Sequence, residues 1–326
     1  MTISMFEPPQ EDYARRLLHF LRHKADDSMR GIRQRVLGQY AEHCIDRYFV
    51  GEVEGEIIGH AWYGLPRVGP TAPTRGIGNF GHVYTNPQWR GQGVAGEITR
   101  VIVDHFNAEP AGSCLLCSAS AQSGRIYQRF GFQFIPKAAQ SGPMCLLKPG
   151  VADSVEELDE QYFAPGHPVT VAEGHIGHRH DLDRLLDFSA PWIEARRRWH
   201  FVGLASHVPT FIAALHYVED GRGIINILQT DEGSIVGYAF ALNLGSGFEA
   251  GLMTFDFVIH PHYLHQASVL LSETLARAGG EVCALVAECD SLKMAALLRA
   301  GFTEQLRFPQ ACHLDDGQYD IVLLKH

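Results

Sequence analysis

Two stretches of this chain combine residue types at spacings that serve chemistry. The first is Tyr84-Thr85-Asn86-Pro87-Gln88-Trp89-Arg90-Gly91-Gln92-Gly93-Val94-Ala95-Gly96, which reads as the end of a strand, a glycine-rich turn and the start of a helix. Gly91 and Gly93 lack a Cβ, so the turn can set several backbone N–H groups around one anion. A helix opening at Val94 aims the positive end of its dipole at the same point, and Arg90 adds a full positive charge. This is a phosphate-binding layout. The second stretch runs from Ser120 to Phe132, a helix that carries the phenol of Tyr127 towards the pair Gly131-Phe132. A phenol there can give a proton to a leaving group or can serve packing alone.

Spacing separates the kinds of phosphate loop. A P-loop needs Gly-Lys followed by Ser or Thr after a spacer that begins with glycine, and a dinucleotide fold needs three glycines with an acidic ribose ligand about twenty residues on; neither is present. What remains is Arg90, Gly93 and Ala95 in an R-x-x-G-x-A frame. This resembles the acyl-CoA pyrophosphate loop of the GNAT superfamily of N-acetyltransferases. The second stretch resembles a later motif of the same superfamily, in which a tyrosine precedes a Gly-Phe pair by four residues. Tyr127 and Gly131-Phe132 match, while Ser120 stands where the family more often has asparagine.

The resemblance implies a mixed-sheet α/β fold and acetyl-CoA as cosubstrate. The residues it implies for cofactor binding are Tyr84, Thr85, Arg90, Gly91, Gln92, Gly93, Val94, Ala95, Gly96 and Ser120. It also implies that the strand before the loop splays from its neighbour, with backbone N–H groups near Tyr84 and Thr85 holding the thioester carbonyl, and that Tyr127 is the general acid to the departing sulfur. Relatives often carry a Glu or Asp base on that strand. Here it reads Gly78-Asn79-Phe80-Gly81-His82-Val83-Tyr84, and His82 is its titratable group near neutrality. His60 on the preceding hairpin, and water relayed to Glu52 or Glu54, are the other candidates.

The surrounding pattern supplies elements to position these groups. Val94 to about Phe106 places Val94, Ile98, Val101, Ile102 and Phe106 at helical spacing, so one face can pack on a sheet. Glu11–His23 and Met29–Tyr40 read as two earlier helices, which the resemblance sets over the substrate side. Arg47 to Gly64 reads as a hairpin turning at Glu54-Gly55. Pro66 to Gly78 is a Pro/Gly loop suited to covering a substrate.

The chain has 326 residues, of which 46% are hydrophobic, a length that favours two domains with full cores. Its net charge of −10 argues against a nucleic-acid surface, which needs clustered Lys and Arg. No apolar run approaches the roughly twenty residues that span a bilayer, and the N-terminus lacks a signal-peptide pattern. Seven cysteines without framework spacing fit a reducing, cytoplasmic setting. Cys114 and Cys117 lie in an apolar strand-like run and read as core residues.

Residues 151–168 are polar and acidic, and they read as a connection between a domain over 1–150 and another over 169–326. The second domain repeats the first. Glu232-Gly233 to Phe240 echoes Glu54-Gly55 to Trp62, His260-Pro261 echoes Asn86-Pro87, and Gly301-Phe302 echoes Gly131-Phe132. Gly55 and Gly233, Pro87 and Pro261, and Gly131 and Gly301 stand 178, 174 and 170 residues apart, a drift that small loop deletions produce. The copies differ in chemistry. Leu264-His265-Gln266-Ala267-Ser268-Val269 replaces the glycine loop, and Leu297 replaces Tyr127.

Eighteen histidines, some clustered at His175, His178 and His180 and at His260, His262 and His265, show no settled ligand spacing, so no metal is expected. Arg196-Arg197-Arg198 reads as a solvated helix face. The expectation is therefore two tandem GNAT domains, the first an acetyl-CoA-dependent N-acetyltransferase for a small-molecule or peptide amine and the second degenerate. Helices over Asp181–Ser189 and Ala190–Trp199 could wall the acceptor cleft. The chain would act as a monomer that is a pseudo-dimer of domains, or as a homodimer, with no nucleic-acid or membrane partner. A silent CoA-binding sensor and an O-acyltransferase are the alternatives on the same fold.

Overall fold

A computed structural model of the chain describes residues 1–24, 26–67, 76–135, 138–185, 208–244, 252–314 and 317–326. Part of the loop expected over Pro66–Gly78, the helix expected over Ala190–Trp199, the end of that expected over Asp181–Ser189, and Arg196 to Arg198 lie outside those residues. The chain divides into two units, Met1–Tyr162 and Phe163–His326.

In the first unit, β1 (Thr2–Phe6) leads to helices α1 (Glu11–Phe20) and α2 (Asp26–Val36), then to the hairpin β2 (Cys44–Val53) and β3 (Glu56–Pro66). The hairpin turns on Glu54 and Gly55 with φ of 51 and 83. Positive φ at both central residues matches the right-handed twist of the strands, and this is why Glu-Gly at this point reads as a turn. After β4 (Ile77–Thr85) come α3 (Val94–Ala108), β5 (Cys114–Ala119), α4 (Ala121–Gln128), β6 (Gln133–Phe134), β7 (Gly142–Leu147) and α5 (Val155–Tyr162). The stretch 151–168 thus contains a helix of the first unit, with Val155, Leu158 and Tyr162 buried.

The seven strands lie in the order β1-β2-β3-β4-β5-β7-β6. Neighbours are antiparallel except β4 and β5, which run parallel and pair only at Ile77–Asn79 with Cys114–Leu116. Beyond that point β4 keeps β3 as its partner and β5 keeps β7, so the two strands part. One face of the sheet is covered by α3 and α4, through Ile98, Ile102, Phe106 and Tyr127 packed on Phe49, Tyr63 and Phe80. On the other face Leu17 and Leu21 of the α1 region and Ile32 and Val36 of α2 pack on Phe6, Tyr48 and Trp62.

The second unit contains β8 (Val169–Glu173), α6 (Arg179–Asp183), α7 (Val208–Glu219), β9 (Gly223–Thr230), β10 (Ile235–Leu242), β11 (Met253–Ile259), α8 (Ala267–Ala278), β12 (Val282–Ala287), α9 (Ser291–Arg299), β13 (Thr303–Leu314) and β14 (Gly317–Lys325). Its sheet order, β8-β9-β10-β11-β12-β14-β13, repeats that of the first unit strand for strand. The parallel pair falls at the same place, β11 with β12, and it too is short, at Met253 and Thr254 with Val282 and Cys283. The repeat read from the sequence is a repeat of topology. No described helix is long and apolar enough to cross a membrane.

Candidate functional site

The glycine turn leaves β4 through a short 3-10 turn at Pro87–Trp89, where the Asn86 side chain accepts from the Gln88 N–H at 3.1 Å. Gly91 and Gly93 have φ of 78 and 83, and a Cβ built on either would meet nothing within 4 Å. The chain needs glycine there for its backbone, and the space in front of the turn is open. Gly93 is the N-cap of α3 and offers no side chain to cap it. The first N–H groups of a helix have no partner inside the helix, and those of α3 belong to Val94, Ala95 and Gly96.

The side chains of the turn support it from its rim. Arg90 donates from Nε to the Thr85 carbonyl at 3.3 Å and holds its guanidinium 5.8 Å from the Tyr84 ring. Gln92 donates to the Gln88 carbonyl at 3.2 Å. Tyr84 stacks on His23 at 4.0 Å and meets the edge of Phe20 at 5.2 Å. Ser120 caps α4, accepting from the Ser123 N–H at 3.2 Å.

Sequence reasoning missed Arg129. A Cβ at Gly96 would sit 3.0 Å from Arg129 Nη2, so this guanidinium lies against the first turn of α3, beside the open amides. Glycine inside a helix costs about 1 kcal/mol relative to alanine, and Gly96 was the available sign that something approaches the helix closely there.

Tyr127 packs from α4 onto β4, 5.0 Å from Phe80 and 5.8 Å from Phe132 between ring centroids. Burial, with Cys117 nearby, pushes its phenol above the usual range, so it keeps its proton at neutral pH. Among the described residues its hydroxyl has no hydrogen-bond partner. Cys114 and Cys117 lie within β5 and form no disulfide.

His82 lies on the opposite face of β4. Two residues, His82 and Val83, oppose the single residue Ala61 across the β3–β4 pairing, a bulge that gives His82 a φ of 54. Its ring lies 5.3 Å from Trp62, and Nε2 lies 3.4 Å from Arg35 Nη1. The other base candidates are placed less favourably. Glu52 is ion-paired with Arg16, and Glu54 is exposed at the hairpin tip.

His60 is fully buried, and burial, aided by Lys24 and His23, pushes its pKa down to about 3. It is neutral at any pH near 7 and has little affinity for a further proton. Its contribution to stability follows from the sign of that shift. Unfolded, the imidazole binds a proton below about pH 6.5, whereas folded it does so only near pH 3. Stability is therefore full above pH 6.5 and falls on acidification between the two values, by at most about 1.4 kcal/mol per pH unit. Urea unfolding at about pH 7.5 and about pH 5 should show this loss, and His60→Phe should reduce it. An unchanged pH slope in the variant would refute the assignment.

The second unit is built differently at each corresponding point. The 3-10 turn Pro261–Gln266 runs directly into α8, and the Ala267 N–H at the junction donates to Leu264 O. This bond takes up one amide, that of Ala267, at the junction. Leu297 is fully buried at the place of Tyr127. Asp256 of β11 and Lys293 of α9, both buried, form an ion pair that joins β11 to the helix following β12, beside the point where those strands part. Among the described residues of the chain, no three His, Cys, Asp or Glu side chains come together as metal ligands.

Residues 45–134 match a family model described as an acetyltransferase (GNAT) domain. No curated protein matches the sequence. Solved structures that match include the acetyltransferase of GNAT family from Streptococcus pneumoniae, at 13% identity over 49% of this chain and 99% of that one, with a TM-score of 0.38. Another is a GNAT superfamily phosphinothricin acetyltransferase from Sinorhizobium meliloti in complex with AcCoA, at 16% identity over 48% and 87%, with a TM-score of 0.39. A third is the spermidine N-acetyltransferase from Vibrio cholerae in complex with CoA and spermine, at 10% identity over 48% and 94%, with a TM-score of 0.37. The match to the GNAT acetyltransferase domain, over residues 45–134, spans β4, the glycine turn and Tyr127, and the second unit repeats the sheet order in which those elements lie.

Proposed function

We propose that the first unit transfers acetyl from acetyl-CoA to an amine by direct attack within a ternary complex, and that the second unit holds no acetyl-CoA. The observation that carries the proposal is the open, left-handed glycine turn at the start of α3, set beside strands that part after three paired residues. Backbone N–H groups from Gly91 to Gly96, with Arg90 and Arg129, would hold the pyrophosphate and phosphate charge. N–H groups of β4 near Tyr84 and Thr85 would polarise the thioester carbonyl and stabilise the oxyanion formed on attack. As the amine nitrogen bonds to the carbonyl carbon and the carbon–sulfur bond breaks, the protonated phenol of Tyr127 is suited to give its proton to the sulfur, and the proton that the nitrogen sheds on becoming an amide passes to water, from which the phenol is restored. The acceptor would approach from the face of β4 that α1 and α2 cover.

What supports a silent second unit is the loss of both glycines and of the arginine, with side chains at Leu264, His265 and Ala267 in their places, and the bonding of the Ala267 amide within the turn. Calorimetric titration with acetyl-CoA should give one site per chain. Two equivalent sites would refute the assignment of the second unit. Release of free thiol with a panel of small amines and amine-bearing peptides, followed by mass analysis for one added acetyl group, tests the reaction itself.

A further inference from the structure

Where β11 and β12 part, the second unit carries a buried charge pair at positions where the first unit has glycine and serine. The strands pair at Met253 and Thr254 with Val282 and Cys283. Asp256 lies two residues past the last of these on β11, just as Gly81 lies two residues past Asn79, the last residue of β4 paired with β5. Register across the sheet gives the same equivalence, since Asp256 stands opposite Phe240 and Gly81 opposite Trp62. The neighbouring rings agree, with Phe255 meeting Phe302 at 5.6 Å as Phe80 meets Phe132 at 5.2 Å. On the helices, the Lys293 N–H donates to the capping Asp290 side chain at 3.3 Å, as the Ser123 N–H donates to Ser120 at 3.2 Å.

The direction of the backbone amides fixes where the carboxylate sits. The His260 N–H donates to the Val236 carbonyl, and bonded and non-bonded positions alternate along an antiparallel pair. The amide of Phe257 therefore points away from β10, towards the gap that opens beside β12. The Asp256 carboxylate accepts from that amide at 2.8 Å. Its ion-pair partner, the Lys293 ammonium, reaches in from α9 and lies 5.7 Å from the Phe257 ring. Taking two charges out of water is costly unless they meet each other and further hydrogen bonds complete the site, and this carboxylate has both. At the matching place in the first unit a Cβ on Gly81 would meet nothing within 4 Å.

We propose that the Asp256–Lys293 pair fills, in the second unit, the slot between parting strands that the acyl thioester enters in the first. The carboxylate takes a gap-facing amide of β11 as a thioester carbonyl would take one of β4. The pair is a closure separate from the lost glycine turn, and the comparison rests on the acetyl-transfer reading of the first unit.

Calorimetry of the full chain with acetyl-CoA separates the two closures. The wild type should bind one equivalent. Rebuilding the turn alone, as Leu264→Arg, His265→Gly and Ala267→Gly, should leave one, and adding Asp256→Gly and Lys293→Ser should give two. Two sites with the turn alone rebuilt, or one site still in the combined variant, would overturn the role of the pair. No site in the wild type would refute the acetyl-CoA reading instead, and the slot with it. If the combined variant does not fold, the converse exchange decides. Gly81→Asp with Ser123→Lys should weaken acetyl-CoA binding at least about tenfold, the size of one net hydrogen bond, with circular dichroism as the check on folding. Unchanged affinity in that variant would overturn the proposal.

Discussion

Gly93→Val should weaken acetyl-CoA binding by at least about 100-fold, equivalent to about 2.7 kcal/mol, while the protein still folds. In the free protein a Cβ at this position meets nothing within 4 Å. The cost to folding is therefore that of a left-handed residue, roughly 1–2 kcal/mol, against the 5–15 kcal/mol typical of a domain. The bound state is affected differently. The branched side chain would fill the open space in front of the α3 amides and prevent their close approach to the pyrophosphate. Losing two charge-assisted hydrogen bonds, each worth about 1.5–3 kcal/mol, accounts for the expected loss. Calorimetry of the variant, with circular dichroism as the check on folding, measures it. Unchanged affinity would remove the glycine turn from the cofactor site.

Tyr127→Phe should lower kcat by about 10²- to 10⁴-fold, the contribution typical of a general acid, with little change in the KM for acetyl-CoA. This substitution isolates the proton because the ring contacts with Phe80 and Phe132 survive it and no hydrogen bond among the described residues is lost. Steady-state kinetics across pH decide the matter. A kcat close to wild type at every pH would assign Tyr127 to packing alone.

The elements that could be read from the sequence were those whose residues act locally. Glu54-Gly55 marks a turn because both residues must take positive φ, and the structure turns there. The strand over Ile77–Thr85 and the helix opening at Val94 lie where alternation, glycine and helical spacing set them. What could not be read depends on contacts between distant positions. Arg35 and Asp46 stand eleven residues apart in sequence, yet they become a buried pair only when α2 folds over β2. The bulge at His82 exists because β4 has one residue more than β3 can match, and no single strand reports the register of its neighbour. Arg129 was overlooked for the same reason, since its place beside Gly96 is set by how α4 meets α3.

The fate of the second glycine loop follows from where the second sheet is encoded. A protein that assembles two identical chains must write the same residues into both of its sites, so a change that ruins one ruins the other. This chain writes its two sheets separately, at 2–147 and 169–325. Mutation could therefore put Leu264, His265 and Ala267 where the first copy has Arg90, Gly91 and Gly93, and selection on the first copy would feel nothing. Asymmetry of this kind is open only to a tandem gene.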